Sequence, residues 1–237
     1  MKIKKIVWIT GGGSGIGEAI AKEFAKNSYL VIISGRRIEK LKKVATEINK
    51  KGGECFSLKM DVRDFESVKI NYKYILKKFG SPEVLVNNAA VTYFKKFTDT
   101  SISEFEEIIS TNLKGYFSTL KIVLPKMIKN NFGICVNIHS VAAIKTFKNS
   151  SVYSASKAGA HAMTKCIREE VRGFGIRVID VLPGTVETEM WSKKDIKKLK
   201  SSILKPKSVA EVVFTLVNQS NNSHIEEVVI RPQNGDL

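Results

Sequence analysis

The sequence predicts an α/β fold: one doubly wound sheet of seven parallel strands with helices on both faces. Short apolar runs alternate with longer amphipathic segments from one end to the other, the pattern of repeated strand–helix–strand units. Helix stops stand where that pattern needs them, at Gly52-Gly53, Gly80-Ser81-Pro82 and Gly173-Phe174-Gly175. A chain of 237 residues with 43% hydrophobic content can bury one large core, so residues 1–237 are expected to form a single domain.

The first strand, 4–10, is an apolar run that enters a glycine-rich turn, and helix 15–26 leaves that turn. Strand 30–34 and helix 38–50 follow, then strand 54–58 and helix 65–79. Strand 84–87 leads to helix 103–128, strand 134–139 to helix 152–174, and strand 176–182 to helix 208–218 and a last strand, 228–231. Only the lysine-rich stretch 189–205 breaks the alternation, and it reads as an inserted loop.

Composition excludes several classes. Lys or Arg interrupts every long hydrophobic run, so none reaches the roughly 18 to 20 apolar residues of a membrane span. The apolar stretch after the basic start, Ile6 to Thr10, is too short for a signal-peptide core, and a cytoplasmic protein is expected. Cys55, Cys135 and Cys166 are odd in number and widely spaced, which suggests reduced core residues rather than disulfides. His139, His161 and His224 are equally scattered, and no metal site is expected. The net charge of +16 and pI near 9.7 raise nucleic-acid or membrane-surface binding. Lysine dominates that charge and is spread along every predicted helix, whereas base readout and phosphate clamping favour arginine. The charge therefore reads as solvated helix faces, with neither nucleic acid nor membrane as partner.

Thr10-Gly11-Gly12-Gly13-Ser14-Gly15-Ile16-Gly17 follows a strand and opens a helix, where backbone amides and the helix dipole can hold a pyrophosphate. Its glycines permit the tight turn and close backbone approach of a Rossmann-type dinucleotide loop, although the spacing Gly11, Gly15, Gly17 is longer than G-x-G-x-x-G. The second strand ends at Ser34-Gly35-Arg36-Arg37, without the acid that would hold an adenosine ribose. Arg36 and Arg37 offer fork-shaped donors suited to a 2′-phosphate, so NADP(H) is favoured over NAD(H).

In Ser151-Val152-Tyr153-Ser154-Ala155-Ser156-Lys157, Tyr153 and Lys157 stand four apart at the start of a helix and share one face. A free phenol has a pKa of about 10, and a fixed ammonium nearby favours its phenolate, which suits proton transfer.

Together these motifs resemble the short-chain dehydrogenase/reductase family. The resemblance also takes in Asp61-Val62 after the third strand, Asn87-Asn88-Ala89-Ala90 after the fourth and Asn112 within a helix. It continues with Ser140 after the fifth strand and Pro183-Gly184-Thr185-Val186-Glu187-Thr188 after the sixth. It implies catalytic roles for Asn112, Ser140, Tyr153 and Lys157. Tyr153 would be the general acid, Ser140 would hold the same substrate oxygen, and Lys157 would lower the tyrosine pKa and bind the nicotinamide ribose. Asn112 would keep a water beside the lysine. Cofactor contacts are implied for Gly11, Gly13, Ser14, Gly15, Ile16, Gly17, Asp61, Val62, Asn88, Ala89, Pro183, Gly184, Val186 and Thr188. The chain departs from the common pattern with His139 before Ser140, read as a polar strand end, and with Ala90 in place of a glycine.

The resemblance implies a carbonyl or secondary-alcohol substrate reached through Val91 to Phe97 and the loop at 189–205. Phe94 and Trp191 would line that pocket, closing it for a small ketone or sandwiching a planar ring as in the similar bacterial sepiapterin reductases. The lysines of 192–205 suggest a second class, the 3-oxoacyl carrier-protein reductases. Gly35-Arg36-Arg37 and the segment from Glu226 to Pro232 also resemble NADP-dependent 3-hydroxy acid dehydrogenases. Dinucleotide-sensing regulators of the same fold commonly lose the tyrosine or lysine that this chain keeps. Family members usually pair through helices equivalent to 103–128 and 152–174, which implies a homodimer or homotetramer.

Overall fold

The computed structural model describes residues 4–191, 202–220 and 223–235. It opens with β1 (Ile6–Thr10), α1 (Gly15–Lys26), β2 (Leu30–Gly35), α2 (Ile38–Lys50), β3 (Glu54–Lys59), α3 (Phe65–Lys78) and β4 (Val84–Asn87). It continues with α4 (Ile102–Ile109), α5 (Gly115–Asn130), β5 (Gly133–Ile138), α6 (Ser151–Val171), β6 (Ile176–Pro183), α7 (Pro206–Val217) and β7 (Glu227–Ile230). The strands form one sheet in the order β3-β2-β1-β4-β5-β6-β7, every pair parallel. The chain winds outward from β1 in one direction and from β4 in the other, so a crevice opens between their carboxyl ends.

Both faces of the sheet are covered, and this is why β1 is an unbroken apolar run buried at every position. Its side chains alternate between two cores. Val7 and Ile9 pack with Ile20 and Phe24 of α1 and Val213 of α7, while Trp8 packs with Val68 and Tyr72 of α3 and Leu120 of α5. β7 closes the far edge, where its residues alternate between exposed and half-buried.

The helix expected at 103–128 is interrupted. A π-helical turn, Ser110–Lys114, separates α4 from α5, and the buried Asn112 sits in it. The Asn112 amide donates to Val91 O at 2.9 Å and Ser156 Oγ at 3.0 Å, and its oxygen accepts from Val91 N at 2.9 Å. These three tertiary bonds offset the weaker local helix geometry. A second difference concerns the cysteines: Cys55 and Cys135 are buried, but Cys166 is exposed on α6 rather than in the core. Ten positions of the loop expected at 189–205, residues 192–201, lie outside the described residues.

Candidate active site

A cavity of about 810 Å³ lies along the carboxyl ends of the central strands, within the range of small-molecule sites. Every expected site residue lines it except Gly17 and Asn112, which stand behind its wall.

The glycine loop owes its shape to crowding. Gly11 and Gly15 have φ of 68° and 57°, and a Cβ at Gly17 would meet Gly11 O at 2.4 Å. Thr10 Oγ1 accepts from the backbone N–H of Asn88 at 3.0 Å and of Ala89 at 3.1 Å. The Asn88 amide returns a bond to Thr10 O at 2.9 Å, which ties the end of β4 to the loop. Ser14 begins α1 without capping it through its side chain, so the first-turn N–H groups are free of a side-chain acceptor and suit an anion.

At the adenosine end, a Cβ on Gly35 would meet nothing nearer than 3.8 Å, and that space opens on the cavity. Arg36 pairs with Glu107 at 2.9 Å. Arg37 pairs with Glu189 at 3.0 Å and donates to Ser14 Oγ at 3.1 Å. Lys40 also reaches Glu189. The residues present therefore fit a nucleotide with an extra phosphate: a cradle that side chains would fill, then Arg36 and Arg37 lining open space, with Lys40 joined to Arg37 through Glu189. The Asp61 carboxylate is tied to Arg63 at 2.7 Å; burial would raise its pKa, but the guanidinium holds it below the usual carboxylate range.

At the other end, Tyr153 is half-buried and faces Ser140 across the cavity. Burial pushes the Tyr153 phenol up to about 12, and the hydrogen bond with Ser140 pulls it down. Lys157, fully buried on the same helix, is pushed down to about 7 by desolvation. Its ammonium donates to Ile138 O at 2.8 Å and to Tyr116 Oη at 3.2 Å, partners that sequence reasoning did not supply. In the free protein, burial thus outweighs the lysine–tyrosine attraction expected from their spacing. His139, next to Ser140, shares the Asp180 carboxylate with Arg168, and burial lowers its pKa, so its ring is neutral.

The substrate wall differs from a ring sandwich. Phe94 and Trp191 already stack on each other, with centroids 4.9 Å apart, and Phe94 meets the Tyr153 ring edge-on at 6.0 Å. They form one aromatic wall beside the phenol. Glu189 lines the cavity, and Lys40, Arg63 and Glu107 pair with lining residues from separate elements, meetings that no local motif announces. The segment from Phe147 to Ser150 also lines the cavity without a motif to announce it. Among the described residues no group of three His, Cys, Asp or Glu could hold a metal, and no helix is long and apolar enough to cross a membrane.

Comparison with known proteins points to one family. Residues 5–199 match the family model described as short chain dehydrogenase. Over 242 aligned residues the chain is 33% identical to a sepiapterin reductase of Chlorobaculum tepidum, covering 99% of each. An alcohol dehydrogenase of the archaeon Thermococcus sibiricus, complexed with 5-hydroxy-NADP, superposes with a TM-score of 0.89 at 30% identity, covering 99% of both chains. The closed form of a serine dehydrogenase complexed with NADP+ reaches a TM-score of 0.91 at 28% identity, covering 98% of this chain and 96% of that one.

Proposed function

The chain belongs to the short-chain dehydrogenase/reductase family, and on that premise we propose that it reduces a ketone carried on a flat ring, using NADPH, with Tyr153 as the general acid. The observation that carries this reading is one cavity lined by Ser140, Tyr153 and Lys157 at one end and by Gly13, Arg36 and Arg37 at the other. The span suits a dinucleotide, and the NADP ligands of the two similar structures support the phosphorylated form. Bound NADPH would supply the hydride.

The protein's own residues do the rest. The loop from Gly11 to Gly15 and the start of α1 would bind the pyrophosphate, with Arg36, Arg37 and Lys40 around the 2′-phosphate. Asp61 and Val62 would border the adenine, and Asn88 and Ala89 its ribose. Pro183, Gly184, Val186 and Thr188 would border the nicotinamide side. Ser140 would hold the substrate oxygen while Tyr153 gives it a proton; for an alcohol in the reverse direction Tyr153 would take that proton. Lys157 would hold the nicotinamide ribose. The Phe94–Trp191 wall offers one apolar face beside the phenol, which supports a planar substrate over an aliphatic acid. Assembly would use α4, α5 and α6, where Phe105 and Phe117 are exposed.

The test is NADPH oxidation against sepiapterin, 3-oxoacyl thioesters, diketones and 3-oxo acids. Turnover is expected to be fastest with the ring-bearing ketone. Faster turnover of a thioester moves the substrate class, and no oxidation with any carbonyl counts against the reading.

A further inference from the structure

When protonated, Lys157 is an ammonium without a counter-ion. No carboxylate lies within ion-pair distance of it among the described residues, and the nearest buried acid, Asp180, is taken up by Arg168, His139 and Asn137. A buried charge in that position needs acceptors. It has two, Ile138 O at 2.8 Å and Tyr116 Oη at 3.2 Å. The Tyr116 hydroxyl donates its own proton to Ile138 O at 2.5 Å, so its lone pairs are what the ammonium meets. Tyr116 is 1% exposed and lies outside the cavity lining, whereas Lys157 belongs to that lining. Asn112 contributes nothing here through its side chain, because both amide hydrogens and the amide oxygen are spent on Val91 and Ser156.

We propose that Tyr116 is a positioning residue: with the Ile138 carbonyl it holds two of the three Lys157 N–H groups from behind, leaving the third for the group bound in the cavity. The inference rests on the function proposed above, in which that group is the nicotinamide ribose. It assigns α5 a part in the site through one hydroxyl. The groups that face this pair are Tyr153 from α6, His139 from the end of β5 and Asp180 from β6; the first two are neutral near pH 7 and the third is ion-paired.

The experiment is a double-mutant cycle on NADPH affinity, with wild type, Tyr116→Phe, Lys157→Met and the double variant. Tyr116→Phe keeps the ring and leaves Ile138 O bonded by Lys157. It is expected to weaken NADPH binding about tenfold in wild type, the scale of a hydrogen bond to a charged group. In the Lys157→Met background it should have no effect. Equal losses in both backgrounds would mean that Tyr116 acts by packing alone, and the proposal would be wrong. Loss of one acceptor disfavours the ammonium, so the alkaline limb of kcat/KM should also move to lower pH; a limb that stays while kcat falls overturns the proposal. Should Tyr116→Phe not fold, a ring-fluorinated tyrosine at 116, a weaker acceptor of the same shape, is expected to move the limb the same way by less. If wild type binds no NADPH, the proposed function falls. The cycle can then be read as thermal stability against pH: Tyr116→Phe should cost more at pH 6 than at pH 9 in the chain that carries Lys157 and equally at both in Lys157→Met, which loses only the Tyr116 bond to Ile138 O.

Discussion

Glu189 pairs with Arg37 at 3.0 Å across 152 residues of chain, so a carboxylate already occupies a cation proposed to hold the 2′-phosphate. Lys40 is held by the same carboxylate, and these two cations lower the Glu189 pKa, Lys40 first. A phosphate bound there would have to displace this acid. Glu189→Gln is therefore expected to tighten NADPH binding about two- to fivefold, the modest gain appropriate to exposed ion pairs. NADH affinity should stay within about twofold, since on the proposed placement that cofactor would meet neither cation. Fluorescence titration of both cofactors reads the difference, and an equal change for both would remove Glu189 from the phosphate site.

Arg36 and Arg37 should carry the cofactor preference itself. Arg36→Ala with Arg37→Ala is expected to cost NADPH about 10- to 100-fold in kcat/KM while sparing NADH, on the scale of charge-assisted bonds. Gly35→Asp places an acid in the space where a Cβ meets nothing nearer than 3.8 Å, and should shift preference toward NADH. Equal use of both cofactors by wild type would contradict the assignment.

Tyr153→Phe removes the proposed proton donor and keeps the ring that Phe94 contacts. Turnover should fall by about 10²- to 10⁴-fold, with NADPH affinity within about twofold of wild type. Single-turnover kinetics beside a binding titration separates the two effects. Retained turnover would assign the acid elsewhere.

The depressed Lys157 pKa makes a prediction about stability. Burial lowers it from 10.5 in the unfolded chain to about 7 in the folded one. Between those values the unfolded state holds the extra proton, so stability rises with pH; below about 7 both states are protonated and the full penalty applies. Lys157→Met should therefore stabilise the fold at pH 6, by up to about 5 kcal/mol from the shift alone, and the gain should be read as a higher melting temperature. The gain should shrink as pH climbs toward 10.5. A gain independent of pH would mean that charge burial is not its cause. The site would then owe its stability cost to something other than its lysine.

Much of this was legible in the sequence because it rests on local patterns. β1 is an apolar run since both faces of the sheet are covered, and Gly52, Gly80 and Gly175 stop their helices with positive φ. Tyr153 and Lys157 reach one cavity because four residues span one helical turn. What the sequence could not carry are meetings between distant elements. Lys157 bonds Tyr116 across 41 residues, and burial, a property of the whole fold, decides its pKa against the attraction expected from spacing. Asn112 stands out in the sequence only through the family resemblance, and the π turn around it depends on Val91 and Ser156, which only the folded chain brings to it. The stack of Phe94 on Trp191 likewise joins two loops that composition alone could read as opposite walls.

The π turn also sets the angular phase of everything after it. An α-helix turns about 100° per residue, so the extra residue in Ser110–Lys114 decides which side chains of α5 look toward the sheet. As it stands, Tyr116 reaches Ile138 and Thr119 reaches Asn87, while Phe117 looks outward. Deleting one residue there would repair the helical hydrogen-bond pattern and at the same time turn Tyr116 away from Lys157. For this chain, a one-codon deletion in that turn is a harsher change than most substitutions, because it rotates a correct sequence into the wrong face.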